Sequence, residues 1–140
     1  MIADDRRREP DAGDGARIRV LIVDDTDHVR DMLAEMLRLD GFEIAGEAAS
    51  GHVAIELARS AAPDVIVMDL KMPGLDGISA TAEIRTFAPT IPVILYTAYL
   101  DHEIETRAKN AGVTLCIGKI EGIDSLEREI SALCMDLFAD

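Results

Sequence analysis

The stretch Val65-Ile66-Val67-Met68-Asp69-Leu70-Lys71-Met72-Pro73-Gly74-Leu75-Asp76-Gly77 decides how the rest of the chain is read. Its first four residues are apolar without alternation, the mark of a strand buried on both faces. Asp69 then stands at the exit of that strand, and Pro73 and Gly74 punctuate a turn. Asp76 is placed to cap a helix that carries Ile78, Ala82, Ile84 and Phe87. The segment is therefore one buried strand, one loop that bears an acid, and the start of one helix.

The same unit recurs on either side. Residues 17–23 hold the run Val20-Leu21-Ile22-Val23, and Val29, Met32, Leu33, Met36 and Leu37 follow at helical spacing up to Gly41. A second strand is expected over 42–47 and a second helix over 51–61, after which Pro63 leads into the strand already described. Pro89 and Pro92 bracket the turn into Val93-Ile94-Leu95-Tyr96. Asp101 can start a fourth helix that Asn110-Ala111-Gly112 closes. A short fifth strand covers 114–117. The last helix is expected to begin at Asp124, with Glu127 three positions on as a capping-box-like partner and Leu126, Ile130, Leu133 and Leu137 as its apolar stripe. Five β/α units predict a parallel sheet covered by helices on both faces, an α/β architecture.

The bulk properties agree with one such domain. The chain has 140 residues, 49% of them hydrophobic and 29% charged, enough apolar material for a sizeable core. A second folded unit has no room within this length, so output by protein contact is the expectation. Fourteen Lys and Arg against 27 Asp and Glu give a net charge of −13, which disfavours nucleic acid and anionic membrane surfaces as partners. Residues 1–16, with Pro10, Gly13, Gly15 and scattered charges, read as a disordered leader, leaving 17–140 as the domain. No apolar stretch there resembles a signal peptide, and no run approaches the ~18 apolar residues of a spanning helix, so a cytoplasmic location is expected. Cys116 and Cys134 read as buried free thiols, His28, His52 and His102 as surface residues, and Met32, Met36, Met68 and Met135 as core fillers.

The polar residues at the strand exits carry the chemistry. They are Asp24 and Asp25 after the first strand, Asp69 after the third, Thr97 after the fourth and Lys119 after the fifth. In a parallel sheet all these exits lie on one edge, and ligands bind where the strand order reverses. With the flavodoxin-like order 2-1-3-4-5, that crevice falls between the first and third strands, the two that end in aspartates. Two carboxylates ~4 Å apart repel by about 4 kcal/mol at an effective dielectric near 20, so three of them call for a neutralising cation. An all-oxygen donor set without His or Cys suits Mg²⁺. With that metal, an ammonium and a hydroxyl converging on it, a carboxylate can serve as a nucleophile toward a phosphoryl group. Asp69 is the central candidate.

The blocks Val20-Leu21-Ile22-Val23-Asp24-Asp25, the stretch from Val65 to Gly77, Thr97-Ala98 and Lys119 together resemble the receiver domain of two-component response regulators, from about residue 17 to the C-terminus. The resemblance implies a doubly wound five-stranded sheet with five helices. It makes Asp69 the phosphoacceptor, supplied by a histidine kinase or histidine phosphotransfer protein in a phosphorelay. It gives Mg²⁺ to Asp25, Asp69 and the backbone carbonyl of Lys71, with Asp24 acting largely through an intervening water. Thr97 would move to the phosphoryl group and Lys119 would pair with it, and the charge added would switch a surface that meets a downstream protein. Such a chain takes part in its own phosphorylation and dephosphorylation and is otherwise not an enzyme.

Two positions depart from the family. Cys116 stands where an aromatic residue usually couples to the threonine, and Ile120 replaces the proline that usually follows the lysine. Tyr99 is therefore a candidate to carry part of the switch, and Lys71 and Tyr99 occupy the positions that in this family flank the phosphoryl group and modulate its lifetime. A receiver-like adaptor whose output ignores phosphorylation is the alternative. A Mg²⁺-dependent phosphatase with an aspartyl nucleophile is disfavoured, because Lys71 stands where that chemistry wants a second Asp.

Overall fold

Continuous Val, Ile and Leu runs build the centre of the molecule, and the connections between them wind into helices. A computed structural model of the chain describes residues 17–138, so the expected leader, 1–16, lies outside the described residues. The elements alternate as β1 (Arg19–Val23), α1 (Asp27–Leu39), β2 (Glu43–Ala48), α2 (Gly51–Ser60), β3 (Val65–Met68), α3 (Gly77–Arg85), β4 (Val93–Thr97), α4 (His102–Ala111), β5 (Leu115–Gly118) and α5 (Gly122–Leu133). All four strand pairings are parallel and the order is β2-β1-β3-β4-β5, the flavodoxin-like order expected.

Because successive side chains point to opposite faces, each strand feeds two cores. Val20, Ile22, Val65, Val67, Ile94 and Ile117 pack under α1 and α5 with Leu33, Leu37, Leu126 and Ile130. Leu21, Val23, Ile66, Met68 and Leu95 face α2, α3 and α4 and meet Ala54, Ala58, Ile84 and Ala108. Each fully buried aliphatic side chain of this kind contributes about 1.5–3 kcal/mol.

The helix starts follow side-chain capping. Asp76 accepts from Ser79 N at 2.8 Å and Asp101 from Ile104 N at 2.8 Å, while Gly112, at φ +100°, closes α4. The last helix corrects the reading. It begins at Gly122, so Asp124 lies in its first turn and caps nothing. The reason is that Lys119–Glu121 winds into a 3-10 turn and Gly122, at φ +85°, redirects the chain straight into α5. Glu127 consequently faces Asp40, the residue that ends α1. Two methionines are corrected as well. Met32 and Met135 are exposed, because Leu33 and Leu37 already fill the sheet-facing stripe of α1 and Leu137 fills that of the C-terminal turn. The third helix also stops at Arg85, leaving Phe87 in the turn beyond it, where the Arg59 guanidinium stacks on its ring at 3.8 Å.

Candidate phosphoryl and metal site

Register brings the strand exits together. Val23 pairs with Met68 across β1 and β3, so Asp24 and Asp69, the next residues, stand side by side. Thr97 pairs with Gly118 across β4 and β5, which sets Lys119 beside them. Asp24, Asp25 and Asp69 each bring a carboxylate oxygen within 4.8 Å of the others. Asp24 and Asp69 are buried, whereas Asp25 is more exposed and makes no side-chain hydrogen bond among the described residues.

Lys119 is the cation at the centre of the group. Its ammonium donates to Asp24 Oδ2 at 2.9 Å and stands 3.7 Å from Asp69 Oδ1. Burial pulls the lysine pKa down, yet the hydrogen bond to Asp24 and the charge of Asp69 outweigh it, and the net shift is upward. Asp69 moves up to about 6. Burial is the main cause; Lys119 and the Leu70 amide pull it back, while Asp24 and Asp25 push it further. Leu70 N donates to Asp69 Oδ1 at 2.9 Å, the oxygen that the Lys119 charge also faces.

The loop after β3 owes its path to one glycine. Gly77 N donates to Leu70 O at 2.8 Å, and a Cβ at Gly77 would fall well inside contact distance of the Asp69 carbonyl. The Pro-Gly-Leu-Asp-Gly run thus folds the start of α3 tightly against the acid it follows.

Thr97 is fully buried, and its Oγ1 accepts from Tyr99 N at 3.1 Å. The Tyr99 ring is half exposed and lies under the Lys71 ammonium, 4.4 Å from the ring centroid. Lys71 and Tyr99, two residues beyond Asp69 and Thr97 respectively, are thus in contact with each other. Cys116 is half-buried against the α2–α4 core, and burial followed by the Glu105 charge pushes its thiol up. Ile120 is almost wholly exposed. His28, His52 and His102 are exposed and stand apart from the cluster.

Arg30 was not singled out in the sequence. Its guanidinium donates to the backbone carbonyl of Asp24 at 2.8 Å. The available signal was weak: a basic residue in the acid-rich first turns of α1.

The donor set fits a hard divalent cation, since among the described residues three carboxylates converge with one ammonium to offset them and no soft ligand stands in the group. Asp24 is already bonded through Oδ1 to Thr26 N at 2.9 Å and through Oδ2 to Lys119, so Asp25 and Asp69 are the more available ligands.

Among the described residues no helix is long and apolar enough to cross a membrane. The family described as the response regulator receiver domain matches residues 20–131. The transcriptional regulatory protein PdtaR of Mycobacterium tuberculosis is 37% identical over 132 residues, covering 82% of this chain and 64% of that protein, so the chain spans less than two thirds of this relative's length. The response regulator domain of Thermotoga maritima CheB superposes with a TM-score of 0.78 at 31% identity, covering 89% of this chain and 99% of that one. CheY in the CheX–CheY–BeF3–Mg complex of Borrelia burgdorferi gives a TM-score of 0.80 at 25% identity, covering 85% and 90%. The family match across most of the chain, joined to the strand order and the acids gathered at one sheet edge, places this protein in the response regulator receiver family of two-component signalling.

Proposed function

We propose that this receiver is phosphorylated on Asp69 and that the added charge switches a surface read by another protein. The observation that supports this most is the convergence of three carboxylates and the Lys119 ammonium at the exits of β1 and β3, with Thr97 ending the neighbouring strand β4. Leu70 N and Lys119 both address Asp69 Oδ1, which leaves Oδ2 to attack phosphorus. The attack forms an acyl phosphate, and the phosphorus–nitrogen bond of a phosphohistidine donor breaks, so a histidine kinase or histidine phosphotransfer protein is the partner proposed upstream. Asp25, Asp69 and the Lys71 carbonyl are the residues to hold Mg²⁺. When bound, Mg²⁺ supplies neutralisation of the carboxylates and of the phosphoryl oxygens. Lys119 holds the phosphoryl charge from the β5 side, and Thr97 donates its hydroxyl to it. Phosphoryl transfer asks mainly for such positioning and charge compensation.

Output follows from the hydrogen bond between Tyr99 N and Thr97 Oγ1. A Thr97 that turns toward a phosphoryl group gives up that bond and frees the Tyr99 loop together with the Lys71 contact. This route needs no aromatic residue at Cys116. A downstream protein is the proposed reader, in the cytoplasm, and neither nucleic acid nor membrane is. The adaptor reading draws on the replacements at Cys116 and Ile120 alone.

The test is labelling by acetyl phosphate or by a phosphorylated histidine donor with Mg²⁺, with wild type set against Asp69→Asn. Label on wild type that Asp69→Asn abolishes is the expected result. Label that persists on Asp69→Asn refutes the site, and absence of both label and beryllofluoride-induced shifts in wild type favours the adaptor.

A further inference from the structure

The first turn of a helix carries the positive end of its dipole and favours acids, yet the fourth residue of α1 is Arg30, and its side chain is only 14% exposed. A guanidinium held there needs oxygen partners, and it has three from three different segments. Nη1 donates to the Asp24 carbonyl at 2.8 Å, Nη2 to Asp27 Oδ1 at 2.7 Å, and Nε lies 3.6 Å from Glu47 Oε1 on β2. A lysine cannot present such a fork.

The carbonyl contact matters because a peptide group is rigid. The Asp24 C=O shares its plane with the nitrogen and Cα of Asp25, so fixing that oxygen fixes the base from which the Asp25 side chain projects. The remaining polar groups of Asp24 are held too: N donates to Ala48 O at 3.0 Å, Oδ1 accepts from Thr26 N and Oδ2 from Lys119. Asp25 itself has no side-chain hydrogen bond among the described residues to hold it. Its aim is left to the plane it hangs from.

We propose that Arg30 is a positioning residue of the acidic pocket: by clamping the Asp24 carbonyl it sets the Asp25 carboxylate toward Asp69. The inference rests on reading that pocket as the Mg²⁺ site. Glu47 and Asp27 hold the clamp from the edge strand and from the start of α1.

Electrostatics makes the test sharp. A guanidinium acting only as a nearby positive charge would repel the metal, so neutralising it would tighten Mg²⁺ binding. A positioning role predicts the opposite. Mg²⁺ titrated calorimetrically into folded full-length protein should bind Arg30→Gln about tenfold more weakly than wild type, the lower end of what loss of an orienting contact behind a metal ligand costs. The Asp25 amide resonance of the metal-free variant should shift as well. Arg30→Lys, which keeps the charge and gives up the fork, should also bind weakly, and it carries the comparison if Arg30→Gln does not fold. Equal or tighter Mg²⁺ binding by the folded variants, beside a wild type that binds, overturns the role of Arg30 alone. A wild type that binds no Mg²⁺ overturns the metal reading and this inference with it.

Discussion

Lys119 and Asp24, 95 positions apart in the chain, are joined at 2.9 Å, and this ion pair ties the exit of β5 to the exit of β1 across the two strands between them. The pair does two things at once. It offsets part of the repulsion among the three carboxylates, and it occupies the Asp24 oxygen nearest the lysine, leaving Asp25 and Asp69 for the proposed metal.

Lys119→Ala should therefore destabilise the metal-free protein by about 1–2 kcal/mol, between the limits for exposed and buried ion pairs. Saturating Mg²⁺ should return most of the loss, since it offsets the same charges. Urea unfolding with and without Mg²⁺ measures both effects. Equal stability of variant and wild type in metal-free buffer would show that the lysine does not hold the acids together.

Gly77→Ala should be among the most damaging substitutions in the loop after β3, because the new methyl has the Asp69 carbonyl in its place. Forcing such a contact typically costs about 1–3 kcal/mol. It should also displace Asp69, the proposed phosphoacceptor. Thermal unfolding reads the first consequence, and the rate of acetyl-phosphate labelling reads the second, with a slower rate expected.

The Lys71 ammonium stands over the Tyr99 ring, joining the residues two places beyond Asp69 and Thr97. An exposed contact of this type is worth about 0.5–1 kcal/mol, which corresponds to roughly two- to fivefold in a rate. Lys71→Ala should shorten the lifetime of the phosphorylated protein by that factor, measured as loss of label after the donor is removed. Tyr99→Ala should in addition blunt phosphorylation-dependent partner binding and the accompanying chemical-shift changes in the loop. Unaltered binding and shifts would remove Tyr99 from the switch.

Glu127 gives the fold a pH dependence. Burial, then the neighbouring Asp40 carboxyl, and then Asp124 raise its carboxyl to about 7, and its Oε2 is buried without a hydrogen-bond partner. A carboxyl raised on folding binds its proton more tightly in the folded state. Its contribution is thus fully present below the unfolded value of 4.5 and is lost as pH rises through about 7. Glu127→Gln should melt higher than wild type at pH 8, and the difference should shrink as pH falls toward 5. A difference that does not change over that range would show that folding does not raise the Glu127 carboxyl.

The strand exits were legible because chemistry and periodicity coincide there. An uninterrupted run such as Val65-Ile66-Val67-Met68 announces a strand buried on both faces, and the acid that ends it must lie at the sheet edge. Asp24, Asp25, Asp69, Thr97 and Lys119 accordingly fall on one edge from the strand pattern alone. The start of the last helix was not legible. Asp124 and Glu127 have the spacing of a capping pair, but spacing does not reveal that the three residues after Gly118 wind into a 3-10 turn and start the helix early. Met32 misled for a related reason: helical spacing admits it to the apolar stripe, and only the packing of Leu33 and Leu37 against the sheet decides which side faces water.

The sequence by itself determined the five β/α units, the parallel sheet and the gathering of acids, hydroxyl and lysine at its carboxyl edge, since hydrophobic periodicity is a local property that survives without coordinates. The tertiary structure decided which side chains meet. Arg30 on the Asp24 carbonyl, Lys71 over Tyr99 and Glu127 against Asp40 join segments whose proximity depends on helix placement, strand register and loop path. Those are set by packing across the whole core, and no spacing within one segment encodes them.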